Sequence, residues 1–232
     1  MVRPSKTFLY DLLESKLKNL SGEVGLDAAS ANFKNRRMFK TKAYYGLDRD
    51  LNAIQRGLAK FKDDSTFGIL ADLTKLDAIP SGSAEVVVST NTLYQLAAPD
   101  RKLALEHLCR VTASKGHFLV EMSLDGEFDR LLATIKQEFS EVKIWYYQNF
   151  LSRFYERIFE RNGYLGDHPI AGRLPFRLLA WVISRLEYLT RFFRLGNRHA
   201  LIFCHQKNNP TPAQNFNLSF FPLLDKKIYK LS

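Results

Sequence analysis

Asp27, Asp48 and Asp72 each close a short apolar run, and Ser89-Thr90-Asn91 closes a fourth. A carboxylate at the end of a buried strand can accept hydrogen bonds from both hydroxyls of a ribose. Asp27 and Asp48 stand about 20 residues apart, the interval that nucleotide-binding βαβ units use. Plainer uses exist for two of them. Asp48 can cap a helix, a role Asp50 fills better, and Asp72 can open an Asx turn through Asp-Leu-Thr. Asn91, Tyr94 and Glu121 follow later strand ends, where a base for an acceptor group would stand. Tyr94 also reads as a core aromatic and Glu121 as a structural acid. No metal-ligand spacing is present.

The elements that must position these groups follow from periodicity. Apolar runs predict strands over 23–28, 43–48, 66–70, 85–89, 117–122, 142–147 and 199–205. Helical spacing predicts helices over 5–20, 51–60 and 128–139, and one opening at Pro99 and Asp100 with Leu103, Leu105, Leu108 and Val111 inward. Ser114-Lys-Gly116 reads as the break that follows it. Strands alternating with helices predict a Rossmann-like, doubly wound α/β fold, with seven strands in a mostly parallel sheet. Ligands sit at the carboxyl ends of such strands, where the acids are.

Composition sets outer bounds. With 232 residues, 46% hydrophobic and 25% charged, the chain can bury one domain-sized core and is not of disordered type. The start, Met1-Val-Arg-Pro-Ser-Lys6, lacks a secretory apolar region, and no apolar run is long enough to span a bilayer. A cytoplasmic protein is expected, with Cys109 and Cys204 as reduced core thiols in preference to a disulfide. The net charge of +10 favours anionic partners.

Five segments in order carry a resemblance. They are Leu26-Asp-Ala-Ala-Ser-Ala-Asn-Phe33, Tyr45-Gly-Leu-Asp48, Ala71-Asp-Leu73, Ser83 to Leu93, and Leu108 to Val120. Through them residues 23–122 resemble the core of class I S-adenosylmethionine-dependent methyltransferases, of the group labelled methyltransferase type 11. The resemblance implies S-adenosylmethionine as cofactor. It implies that Asp27, Ala29, Ser30 and Ala31 line it, that Leu47 and Asp48 meet the ribose and Asp72 and Leu73 the adenine, and that Asn91 adjoins it. The family's loop glycines align with Ala29, Ala31 and Phe33. Glycine there allows positive φ, and each Cβ in its place narrows the loop. Lys34, Arg36 and Arg37 could attract the cofactor's carboxylate. The implied activity is methyl transfer to a small-molecule, sugar or lipid-linked acceptor. The alternative is a scaffold that no longer methylates. Nucleic acid is not expected, because no recognition motif accompanies the charge.

One domain over 1–232 is expected, with a helical insertion over 149–197 and a tail over 207–232 that packs back. The insertion's cations are all arginine, and aromatics are interleaved with them. Around a helix over 174–195, Leu178, Leu179, Val182, Ile183, Leu186, Leu189 and Phe193 fall on one side, and Arg177, Ser184, Glu187, Arg191 and Arg194 on the other. The insertion reads as a lid that selects an anionic acceptor, or as a helix docking on an anionic membrane. The plain alternative is that its apolar side packs on the sheet's flank.

Overall fold

The computed structural model describes residues 3–159, 173–210, 212, 214–218 and 221–231. Arg161 and Tyr164 of the insertion lie outside them. The chain forms two compact units, one of residues 1–16, 123–125 and 144–201, the other of 17–122, 126–143 and 202–232.

After helix α1 (Pro4–Leu17), the chain runs β1 (Val24–Ala28), β2 (Ala43–Asp48), α2 (Leu51–Lys60), β3 (Thr66–Leu70), β4 (Ala84–Ser89), α3 (Ala98–Val111), β5 (Thr112–Ser123) and α4 (Phe128–Glu138). It continues as β6 (Phe139–Tyr147), α5 (Phe150–Phe159), α6 (Leu174–Thr190), β7 (His199–Lys207), β8 (Leu223–Asp225) and β9 (Ile228–Lys230). The sheet order is β6-β7-β5-β4-β1-β2-β3-β9-β8. β1 pairs in parallel with β2 on one side and β4 on the other, so the strand order reverses between β1 and β4. A ligand crevice opens at such a reversal. β4 shows why the sheet is doubly covered: Val86, Val87 and Val88 are all buried, which a strand with one wet face does not allow.

Among the described residues the sheet has nine strands, not the expected seven. The tail forms a hairpin, and β9 lies parallel to β3, with Gly68 level with Ile228 and Leu70 with Lys230. Three-residue strands are too short to show periodicity, yet they cover an edge that would otherwise present unpaired backbone. Two further expectations need correction. Leu103 of α3 points outward at 41% exposure while Ala104 is buried. Ser114–Gly116 is not a break before β5 but an irregularity inside it, between the Ala84–Thr112 and Val86–His117 pairs. Cys109 and Cys204 are buried free thiols.

The packing between β2 and α2 is set by one ring. Phe33 is fully buried, edge-on to Tyr44 at 5.4 Å. A Cβ on Gly46 of β2 would lie 2.2 Å from the ring, and one on Gly57 of α2 would lie 2.5 Å from it. Both glycines are there to leave room for Phe33. Asp50 caps α2, accepting from Asn52 N at 2.9 Å.

In the first unit, α1 packs Phe8 against Tyr147 and sets Lys16 over Trp145, both on the edge strand β6. α5 and α6 meet through polar groups. Glu156 accepts from Ser5 N at 3.0 Å and from Gln148 Nε2 at 2.8 Å. Glu187 accepts from Ser152 Oγ and from Asn149 N. The buried positions of α6 are Ala180, Ile183, Ser184 and Glu187, with Ala180 and Ile183 against Tyr155 and Phe159. Leu178, Leu179, Val182 and Leu189 are exposed. Most of the apolar side of α6 is therefore exposed, contrary to the plain expectation, while Ile183 of that side is buried together with Ser184 and Glu187.

Burial pushes Glu187 up to about 7, opposed by the bonds from Ser152 and Asn149 and reinforced by Glu156. The folded state thus holds a proton that the unfolded chain releases near 4.5. This contribution to stability is full below about pH 4.5 and is lost as pH rises through about 7. Glu187→Gln should remove about 3 kcal/mol of that decline, at roughly 1.4 kcal/mol per unit, in urea unfolding measured from pH 4 to 8. A decline unchanged in the variant refutes the assignment. The Phe33 slot predicts strong coupling. Gly46→Ala should destabilise by about 1–3 kcal/mol, and by much less in a Phe33→Ala background. Additive losses in denaturant titrations would show that the ring does not set the spacing.

Candidate functional site

The loop after β1 turns through left-handed backbone at every second residue. Ala29 has φ 59°, Ala31 φ 49° and Phe33 φ 60°. These are the three positions aligned with family glycines, and each non-glycine there carries about 1–2 kcal/mol of strain. Three contacts hold the path. Ser30 N donates to Leu47 O at 2.9 Å, Ala31 N donates to Asp48 Oδ2 at 2.8 Å, and the Phe33 ring is clamped in its slot. Ser30 Oγ is turned to the same Leu47 carbonyl at 3.3 Å.

The three acids have different surroundings. Asp27 is level with Gly46 and Val88, one residue short of the strand ends, and is buried. It accepts from Tyr44 OH at 2.7 Å and Asn35 Nδ2 at 3.0 Å. Burial raises it to about 6 against the effect of those bonds. Asp27 thus fastens the loop from below. Asp48 stands at the rim, half-buried, with Oδ2 on Ala31 N and Oδ1 accepting from Asp50 N at 2.9 Å. A carboxylate accepts about four hydrogen bonds, so each oxygen retains a direction for a ligand hydroxyl. Asp72 follows β3 and forms the Asx turn: its Oδ1 accepts from Thr74 N at 2.9 Å and Thr74 Oγ1 at 2.8 Å. Those bonds hold it below the usual carboxylate range, with Arg49 and Lys75 adding to the effect. Leu47 and Leu73 are buried beside these acids.

Arg36 is turned away from any loop ligand, bonding Thr66 Oγ1 at 2.6 Å and Ser65 Oγ at 3.1 Å and pairing with Asp63. Lys34 and Arg37 are exposed.

Past β4, Asn91 is also left-handed, with φ 61°. Its N–H donates to Glu121 Oε2 at 2.6 Å, and its carbonyl accepts from Gln95 Nε2 at 2.5 Å. Glu121 is fully buried, so it shapes the turn that carries Asn91. Tyr94 is half-buried, with its carbonyl held by Arg101 at 2.9 Å. The sequence points to no ligand role for Ser89 or Asn32. Ser89 is level with Ala28 across the strand-order reversal, and its buried Oγ has no hydrogen-bond partner among the described residues. The same holds for Asn32 Oδ1 in the loop. Ser89 was signalled only as the polar end of the strand beside the reversal. Among the described residues no cluster suits a metal ion, and no helix is long and apolar enough to cross a membrane.

No curated protein sequence matches the chain. Among solved structures, the [4+2]-cyclase SpnF superposes with a TM-score of 0.58 at 14% identity, over 85% of this chain and 80% of its own. A TehB-like S-adenosylmethionine-dependent methyltransferase from Corynebacterium glutamicum gives 0.52 at 15% identity, over 84% and 88%. Phosphoethanolamine N-methyltransferase 2 of Haemonchus contortus, in complex with phosphomonomethylethanolamine and S-adenosylhomocysteine, gives 0.53 at 14%, over 85% of this chain and 52% of its own. At these identities the likeness is one of fold. Residues 24–120 match the family model described as a methyltransferase domain. That stretch, from β1 into β5, is less than half of the chain, and over it the chain is similar to a methyltransferase domain.

Proposed function

We propose that the protein transfers a methyl group from S-adenosylmethionine to a small-molecule, sugar or lipid-linked acceptor of anionic character. The observation that carries this reading is the loop after β1. Its backbone keeps left-handed geometry at residues 29, 31 and 33 without a single glycine, and Ala31 N ties it to the rim carboxylate of Asp48. Strain of that kind persists where the surroundings enforce it, and it collects at ligand sites.

The described residues fit the cofactor. Asp48 offers one open direction on each oxygen to the ribose hydroxyls, and Asp72 keeps Oδ2 for the adenine amino group, with Leu47 and Leu73 as apolar neighbours. Ala29, Ser30 and Ala31 supply the loop backbone, and Asp27 supports it through Asn35. The buried, unpartnered Ser89 Oγ suits a polar ligand group at the reversal. The cofactor, when bound, supplies an electrophilic methyl carbon on a sulfonium. The chain's share is alignment and removal of the acceptor's proton. Glu121 positions Asn91 through its backbone N–H, leaving Asn91 and the half-buried Tyr94 to adjoin the acceptor. The net charge of +10 supports an anionic acceptor.

A second reading, a scaffold without methyl transfer, is favoured by the two Cβ atoms that Ala29 and Ala31 carry into a glycine-type loop. Calorimetric titration with S-adenosylmethionine and S-adenosylhomocysteine separates the two. The enzyme reading requires binding, and Asp48→Ala should weaken it by about 1.5–3 kcal/mol, the worth of charged hydrogen bonds. Asp72→Ala should weaken it less. No heat with the wild type, or unchanged affinity in Asp48→Ala, defeats the proposal. Ala29→Gly/Ala31→Gly should relieve strain and raise stability by about 1–2 kcal/mol after the added chain entropy, and should tighten cofactor binding. Lower stability in thermal unfolding would mean that the methyl groups pack better than the backbone suffers.

A further inference from the structure

In the first unit α5 and α6 bury what a water-facing pair would expose. Ser152 donates to Glu187 between the two helices, Glu156 and Ser184 are buried as well, and Tyr155, Phe159, Ala180 and Ile183 form the apolar part of the contact. Their outer side carries Phe150 at 66% exposure, Phe154 at 59%, Leu178 at 55%, Trp181 at 53% and Leu189 at 69%. Large apolar side chains exposed in such number on two neighbouring helices mark an interaction site on a folded protein.

Charge identifies the occupant. The only acids of the two helices, Glu156 and Glu187, are turned inward onto Ser5 and Ser152. Every other ionic side chain on α5 and α6 is an arginine: Arg153, Arg157, Arg177 and Arg185. The guanidinium of Arg185 pairs with Asp11 of α1 and lies over the Trp181 ring at 5.4 Å, and that of Arg191, just past α6, lies over Phe192 at 4.7 Å. Cations stacked on exposed aromatic rings keep their charge beside apolar surface. A second copy of the chain would set arginine against arginine, with no outward acid on these helices to pair them. A bilayer rich in anionic phospholipid offers acyl chains for the rings and leucines, and phosphates for the guanidinium groups. No helix among the described residues can cross a membrane, so the contact is with its surface.

We propose that the outer side of α5 and α6 docks on anionic phospholipid bilayers, with α6 lying in the interface and Trp181 among the headgroups. The inference stands apart from the methyl-transfer reading, because neither helix contains a residue assigned to the cofactor.

The test is co-sedimentation of the full chain with vesicles of phosphatidylglycerol and phosphatidylcholine, against phosphatidylcholine alone, at about 0.05 and 0.5 M salt. Binding should require the anionic lipid and fall at least tenfold at high salt. Each basic residue near such a surface is worth about fivefold in affinity, so Arg157→Glu/Arg177→Glu should reduce binding at least a hundredfold. Its circular dichroism should stay unchanged. The chain has two tryptophans, and Trp145 is buried. In Trp145→Phe, the remaining Trp181 emission should shift to the blue on binding and be quenched by brominated lipid. In Trp181→Phe that shift and quenching should vanish while sedimentation persists. Absence of sedimentation at low salt overturns the proposal. So does sedimentation without a Trp181 response, or a stable dimer in vesicle-free light scattering in which Trp181 is already shielded.

Discussion

A benzyl side chain wedged between two glycines governs the packing of the loop after β1 against β2 and α2. The Phe33 ring occupies the space that β2 and α2 leave at Gly46 and Gly57, and this anchors the far end of the loop after β1. Once the ring is seated, the backbone between Ala28 and Phe33 has few ways to cover the distance, and it takes the left-handed ones. Ala31 N then meets Asp48, and Ser30 folds onto the Leu47 carbonyl. The loop keeps a large side chain and the strand and helix opposite it carry none at Gly46 and Gly57, so all three pack closely.

The same economy of space explains two of the buried acids, one in each unit. Asp27 lies under the loop with Tyr44 and Asn35 on its oxygens, and Glu187 lies under α5 with Ser152 and Asn149. Both are raised chiefly by loss of water. Each joins segments distant in sequence through directional bonds, which fix orientation in a way that apolar contact does not.

Much of the fold was legible because β1 to β4 are short apolar runs punctuated by acids, and parallel strands covered on both faces leave that mark. Asp50 as the cap of α2 and Asp72 in its Asx turn followed from local side-chain chemistry. Other features depend on partners remote in sequence. Asp27 and Asp48 look alike as strand-ending acids, and only pairing register puts one inside the sheet and the other at its rim. Periodicity groups Leu178 with Val182 and Leu189 but does not say whether that side turns in or out. Glu187 decides it, because Ser152 on α5 and Asn149 just before it satisfy its carboxylate. The strands of the tail are three residues long and acquire their conformation from β3.

The pairing of β9 with β3 also bears on the order in which the molecule is completed. Lys227 Nζ reaches the carbonyl of Asp63, 164 residues earlier, and β9 closes alongside. On a chain made from its N-terminus, the flank of β3 emerges early and waits for nearly all the rest before its cover arrives. Contacts that close so large a loop form late. For that interval β3 is an open template for any other extended segment. Nascent or partly unfolded molecules are therefore most exposed to strand exchange at Thr66–Leu70.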